Sequence, residues 1–184
     1  MYKDCTSKPA IARQREIEQG LLEYMTHKAY EDITVIELCH KLDIPRKAFY
    51  RYFSNKDGAL LALIDHTLHD LATNHLENKI NTIDNLEIME HFFDYWLEKK
   101  VLLDVLATNN LSGILLQRAV NAAPEYEPML DSLSLSNGSV RAKRYKLYFI
   151  ISGVISLVIQ WHHNHFDKTP AQMAKLAVEL VPQQ

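Results

Sequence analysis

The stretch from Thr34 to Leu60, TVIELCHKLDIPRKAFYRYFSNKDGAL, constrains the fold of this chain more than any other. Thr34 stands three residues before Glu37. That spacing lets the threonine hydroxyl accept from the Glu37 amide while the carboxylate reaches back to the Thr34 amide, a capping box. The helix it opens buries Val35, Leu38 and Leu42, at i, i+3 and i+7. Asp43-Ile44-Pro45 ends it, because Pro45 has no amide proton and biases Ile44 away from helical dihedrals. Pro45 also suits the first turn of a second helix, predicted over Arg46 to Phe53. A second box, Ser54-Asn55-Lys56-Asp57, stops that helix and starts a third. Two short helices about a tight turn make a helix-turn-helix.

The second helix carries two kinds of side chain. Phe49 and Phe53 can anchor one face against Leu38 and Leu42, which leaves Arg46, Lys47, Tyr50 and Arg51 outside. From Lys41 to Lys56 there are five basic residues (Lys41, Arg46, Lys47, Arg51, Lys56) and one acid, Asp43. Cations and a phenol on a short rigid helix are what phosphate and base-edge contacts need. A merely solvated helix explains the charge alone, but not the ordered series of box, turn, aromatic helix and second box.

These residues resemble the DNA-binding domain of the TetR/AcrR family of transcriptional regulators. The likeness runs from about Ile11 to Leu63. It includes Arg13-Gln14-Arg15 leading into Ile17, Leu21, Leu22 and Met25, then Lys28-Ala29-Tyr30, and closes on Tyr50-Arg51-Tyr52-Phe53-Ser54-Asn55-Lys56-Asp57. The resemblance implies an all-α chain: a three-helix helix-turn-helix DNA-binding domain over 1–54, then a helical ligand-binding and dimerisation domain over 55–184. It implies phosphate contacts from Thr34, Tyr50, Tyr52 and Lys56, and base contacts from Arg46, Lys47 and Ala48. The chain departs from the family pattern where glycine is common (Ala29, Asp43), where serine is common (Pro45), and at Lys47 and Ala48. Those last two imply an unusual operator.

The rest of the chain agrees with an all-helical reading. Of 184 residues 47% are hydrophobic, enough for a globular interior, while five glycines, six prolines and no period-two alternation argue against sheet. The formal net charge of −3 would by itself disfavour nucleic acid, yet it is unevenly spread. Residues 1–56 hold ten Lys and Arg against eight Asp and Glu, and residues 57–184 hold ten against fifteen. A basic head on an acidic body fits a local DNA face. Cys39 falls inside the helix-turn-helix as a small core residue, and Cys5 in an amino-terminal arm expected to be mobile. No signal peptide is visible, and Leu147 to Ile159 is too short for a membrane span, so a cytoplasmic location is expected.

The spacing predicts a first helix from Ser7-Lys8-Pro9 to about His27, and a long lever helix from Asn55 to Asn78 or Ile80. In the body it predicts helices over Ile88–Leu97, Val101–Asn109, Leu111–Ala122, Val140–His163 and from Thr169. A loop is expected at Pro124–Pro128 and a polar serine-rich segment over Leu130–Gly138. Phe92, Phe93, Tyr95, Trp96 and Phe149 are candidate linings of a cavity for an apolar or aromatic effector. Gly153, Ser156, Ile159, Ala174, Ala177 and Leu180 are candidates for a homodimer interface on the last two helices. His162, His163 and His165 show no fixed ligand frame, so no metal is expected. No phosphate loop, nucleophile elbow or carboxylate pair supports an enzyme, and no cofactor is implied. The function expected is therefore a dimeric, ligand-responsive regulator, in such families usually a repressor, on a pseudo-palindromic double-stranded operator. The alternative is a helix-turn-helix co-regulator controlled by a protein partner.

Overall fold

A computed structural model describes residues 1–76, 84–126 and 140–180, and among these the secondary structure is helical apart from one isolated bridge. The head holds α1 (Lys8–Met25), α2 (Val35–Lys41) and α3 (Arg46–Tyr52), with a 3-10 turn at Tyr30–Asp32. Ile17, Leu21 and Met25 on α1 meet Leu38, Phe49 and Phe53 in one buried cluster. Gly20 lets α1 approach the end of α2, since a Cβ there would overlap the Leu42 side chain. The turn between α2 and α3 passes through Asp43 at φ 51°. A left-handed residue fits the expectation of glycine at this point, and aspartate tolerates the conformation better than most side chains. Pro45 opens α3 without a side-chain cap. The Ala48 amide donates to the Pro45 carbonyl instead, at 2.8 Å.

The arm before α1 is docked rather than loose. Tyr2 bridges to Phe53, the Lys3 amide donates to the Tyr52 carbonyl at 3.0 Å, and the Ser54 amide donates to the Met1 carbonyl at 3.0 Å. Gly58 makes room for it, because a Cβ at that position would sit 2.5 Å from the Met1 oxygen.

The lever α4 spans Lys56–Asp70 and is capped by Asn55, whose side chain accepts from the Gly58 amide. It runs on as a π-helical turn, Leu71–Leu76. The Tyr95 hydroxyl donates to the Thr67 carbonyl at 2.7 Å, just where the hydrogen-bond ladder changes pitch. A side chain inserted into the ladder is a known cause of such a change. The predicted end of the lever, at residues 78–80, lies outside the described residues.

The body contains α5 (Asn85–Glu98), α6 (Lys100–Thr108), α7 (Ser112–Ala122), α8 (Val140–His163) and α9 (Pro170–Leu180). Asp84 caps α5 by accepting from the Glu87 amide. The Asn109-Asn110 break turns on Asn110 at φ 58°. Residues 123–126 form a 3-10 turn where a loop is predicted, and the remainder of that loop and the serine-rich segment lie outside the described residues. Thr169 and Gln172 make the capping box predicted for α9. The turn before it is pinned by the Trp161 indole, which donates to the Lys168 carbonyl at 3.0 Å. α9 packs on α5, and α8 on α6 and α7. No helix among the described residues is long and apolar enough to cross a membrane.

Candidate nucleic-acid interface

Thr34 and Glu37 form both bonds of the capping box, at 3.2 and 3.0 Å, so α2 starts where the sequence places it. Lys28 adds a contact to Glu37 at 2.7 Å. With Lys28 and then Thr34 donating to it, the Glu37 carboxyl is lowered to about 2. α2 in turn holds the start of α3. The Ile44 amide donates to the Cys39 carbonyl, and Cys39 is buried, with burial pushing its thiol up.

The second helix divides its faces cleanly. Phe49, Tyr52 and Phe53 are buried, while Arg46, Lys47, Tyr50 and Arg51 are exposed and Ala48 is half-buried. Tyr50 stacks edge-on against Phe49 at 5.5 Å, and the Arg46 guanidinium lies 5.9 Å from the Tyr50 ring centre. The buried aromatic side fixes the helix, and the cationic side faces solvent without an acidic partner among the described residues.

Two residues expected to touch phosphate occupy other positions. Tyr52 is only 8% exposed and its ring packs 6.3 Å from Phe53. Lys56 donates to the carbonyls of Tyr30, Glu31 and Ile33 at 2.6, 2.9 and 2.8 Å. An ammonium has three protons, so these three acceptors use all of them. Tyr30, whose ring lies 4.6 Å from the Lys56 ammonium, donates its hydroxyl to Asp57. Burial and then that bond push the Tyr30 phenol well above its usual range. Thr34 is exposed, though its hydroxyl also donates to Glu37 at 2.9 Å.

No family model matches the chain. A segment of 56 residues is 39% identical to the transcriptional regulator AcuR of Cereibacter sphaeroides, which is 30% of this chain and a quarter (25%) of that protein's length. The likeness in three dimensions is far longer. The dihydroxyacetone kinase operon activator DhaS superimposes with a TM-score of 0.65 at 16% identity, over 93% of this chain and 94% of its own. A TetR transcriptional regulator from Streptococcus agalactiae 2603V gives 0.63 at 18% identity, over 96% and 97%. The TetR-family repressor AlkX of Dietzia sp. strain DQ12-45-1b gives 0.59 at 15%, over 92% and 93%. The fold is that of the TetR-family regulators.

Within that TetR fold, the aromatic cluster of α5 is core. Phe92, Phe93, Tyr95 and Trp96 are buried, with Phe93 edge-on to Trp161 at 5.6 Å and Phe92 to Phe93 at 5.2 Å. One loose end remains among them, the Trp96 indole nitrogen, which is buried and has no hydrogen-bond partner among the described residues. Phe149, expected beside them, is 64% exposed on α8. It shares a stripe with Tyr145, Gly153 and Ser156, at i−4, i+4 and i+7, all exposed. A Cβ added at Gly153 meets nothing within 4 Å among the described residues, so none of the described helices requires glycine there.

The dimer candidates split in the same way. Gly153, Ser156 and Leu180 are exposed and Ile159 is half-buried, whereas Ala174 and Ala177 are 0% and 2% exposed. Those two alanines lie on the inner side of α9, the helix packed on α5. Burial inside one chain removes them from any contact with a second. At the end of α8 His162 pairs with Asp104 at 2.8 Å, while His163 and His165 are exposed.

Head and body are joined at points the sequence does not reveal. The Asn109 side chain accepts from the Tyr30 amide at 2.6 Å. Fully buried Glu18 meets the His66 ring at 2.9 Å, and Arg15 reaches Asp70 at 3.2 Å. Asp65 accepts from Tyr2 on one side at 2.7 Å and from Arg118 of α7 on the other at 2.6 Å.

Proposed function

We propose that this chain is a homodimeric, ligand-responsive transcriptional regulator that binds a pseudo-palindromic DNA operator in the cytoplasm and represses from it. The observation that carries this reading is the face of α3. Arg46, Lys47, Tyr50 and Arg51 are presented together by a helix whose other side is locked into the head by Phe49, Tyr52 and Phe53. A rigid cationic helix of that length enters the major groove, phosphate contacts set its register, and base edges supply sequence preference. Arg46, on the opening turn, is the candidate for a guanine edge. Lys47 and Ala48 lie beside it, and Tyr50, Arg51 and Thr34 serve the backbone. Tyr52 and Lys56 act through the shape of the head. The TetR fold and the 56-residue likeness to a transcriptional regulator support the same reading.

Two heads on one duplex require a two-fold partner. The exposed stripe of Tyr145, Phe149, Gly153 and Ser156 on α8, with Leu180 on α9, supplies an apolar surface suited to a self-complementary interface. Repression requires no more than occupancy of a promoter, which operator binding alone provides. Selection from random duplex DNA tests the reading: two related half-sites about one helical turn, or a multiple of it, apart are expected. Recovery of unrelated sequences, with no affinity above the non-specific level, overturns it.

A further inference from the structure

The arm is bonded to the backbone of α3 itself. That helix has only seven residues, and its last carbonyls find no partner within it. The arm supplies one, since the Lys3 amide donates to the Tyr52 carbonyl at 3.0 Å, and the Ser54 amide donates back to the Met1 carbonyl at 3.0 Å. Between these two bonds Tyr2 pairs with Phe53 as an antiparallel bridge. Gln14 of α1, only 2% exposed, donates its amide nitrogen to the Lys3 carbonyl at 3.2 Å. Residues 1–3 and the exit of α3 therefore move as one piece.

Tyr2 carries that piece to the body. Its ring stands edge-on to His66 of α4 at 5.7 Å, and its hydroxyl donates to Asp65 at 2.7 Å. Burial, then that bond, push the phenol well above its usual range, so the hydroxyl keeps its proton. Asp65 is gripped in turn by Arg118 of α7 through two nitrogens. All three residues line a cavity of about 570 Å3, so this relay crosses open space and not packed core. The other links from head to body end elsewhere: those of Glu18 and Arg15 on α1, and that of Asn109 on the Tyr30 turn. Of these links, only the one through Tyr2 runs into the backbone of α3.

We propose that Tyr2 is a positioning residue for operator binding: through the arm it fixes the exit of α3 against α4 and α7, and so sets the separation of half-sites that the regulator accepts. This role rests on the dimeric, operator-binding reading above. Changing the spacer by one base pair turns one half-site by about 35° and moves it by about 3.4 Å. To follow, one head tilts on its body and opens the bond from Tyr2 to Asp65. The bond is intact in the free protein and on a correctly spaced operator, so it adds nothing to that affinity. It adds to the penalty for wrong spacing instead. A hydrogen bond to a charged acceptor, opened in this way, costs about tenfold or more in affinity.

Fluorescence anisotropy tests the role, with the full chain and its Tyr2→Phe variant titrated against the selected operator and against versions one base pair longer and shorter between half-sites. Tyr2→Phe keeps the ring, and is expected to keep its helicity by circular dichroism and to bind the selected operator as the parent does. Its penalty for a one-base-pair change is expected to shrink by about tenfold, so that mis-spaced operators bind the variant more tightly than the parent. A tyrosine that merely stabilises the fold gives a different pattern, an equal loss on all three operators. That equal loss, or an unchanged penalty, overturns the positioning role. A parent that binds all three spacings alike also overturns it and leaves the DNA-binding reading intact. A parent with no affinity above the non-specific level for any operator overturns that reading and this role with it.

Discussion

Replacing Lys56 by alanine distinguishes a brace from a phosphate contact. The ammonium closes three carbonyls, those of Tyr30, Glu31 and Ile33, within 2.9 Å and lies over the Tyr30 ring. A hydrogen bond involving a charged group contributes about 1.5–3 kcal/mol when taken alone. One ammonium serves all three here, it is half-buried, and water can re-solvate the more exposed carbonyls, so the sum is far from additive. A net loss of roughly 2–3 kcal/mol is expected, which for a chain of this size lowers Tm by about 5–10 °C. Operator affinity is then measured across a salt series, at a temperature where the variant is fully folded. A phosphate contact contributes about −0.9 to the slope of log K against log salt. Lys56→Ala is expected to leave that slope unchanged, and Arg51→Ala, at an exposed cation assigned to the backbone, to flatten it by about one contact. A Lys56→Ala protein that melts like its parent and loses one unit of slope refutes the brace.

Asp43→Val should destabilise by more than ~1 kcal/mol in a denaturant titration, because a β-branched residue tolerates φ 51° poorly; Asp43→Gly should not. Gly153→Glu places a charge on the exposed stripe of α8 and should convert a dimer to a monomer in sedimentation without loss of helicity by circular dichroism; a dimer that survives moves the interface elsewhere. Glu37 is lowered in the folded chain from 4.5 to about 2, so the stability it contributes is present above 4.5 and is lost as pH falls towards 2. Glu37→Gln should therefore flatten the acid limb of a stability–pH curve within that window, and an unchanged limb argues against the Lys28–Glu37–Thr34 cluster.

The head was readable because its signals are local. Thr34 with Glu37, Pro45 before Arg46, and Thr169-Pro170 with Gln172 each act over one turn, and the helices start there. The inward position of Tyr52 was available too: it stands three residues after Phe49 and one before Phe53, on the same face of α3. A phosphate role taken from the family likeness conflicts with that periodicity. The role of Lys56 was not readable, since its three acceptors lie 23 to 26 residues away. Nor were the links between head and body, which depend on pairs such as Glu18 with His66 and Asp65 with Arg118, 48 and 53 residues apart. The α9 alanines failed for a different reason. Both sides of that helix carry apolar residues, and only its packing on α5 decides which side is inner. The arm has no periodicity at all, and its docking depends on the space left by Gly58.

The most direct measurement is the affinity of the Arg46→Ala protein for a panel of single-base operator variants, beside the parent and Lys47→Ala. Arg46 is exposed on the first turn of α3, where a bidentate pairing to guanine gives about 1–3 kcal/mol of discrimination. If α3 reads DNA, Arg46→Ala relaxes preference at one position of each half-site and leaves the other positions as they were. If it weakens every operator by the same factor, or leaves all of them unchanged, Arg46 reads no base and the assignment of α3 as the reading helix is contradicted.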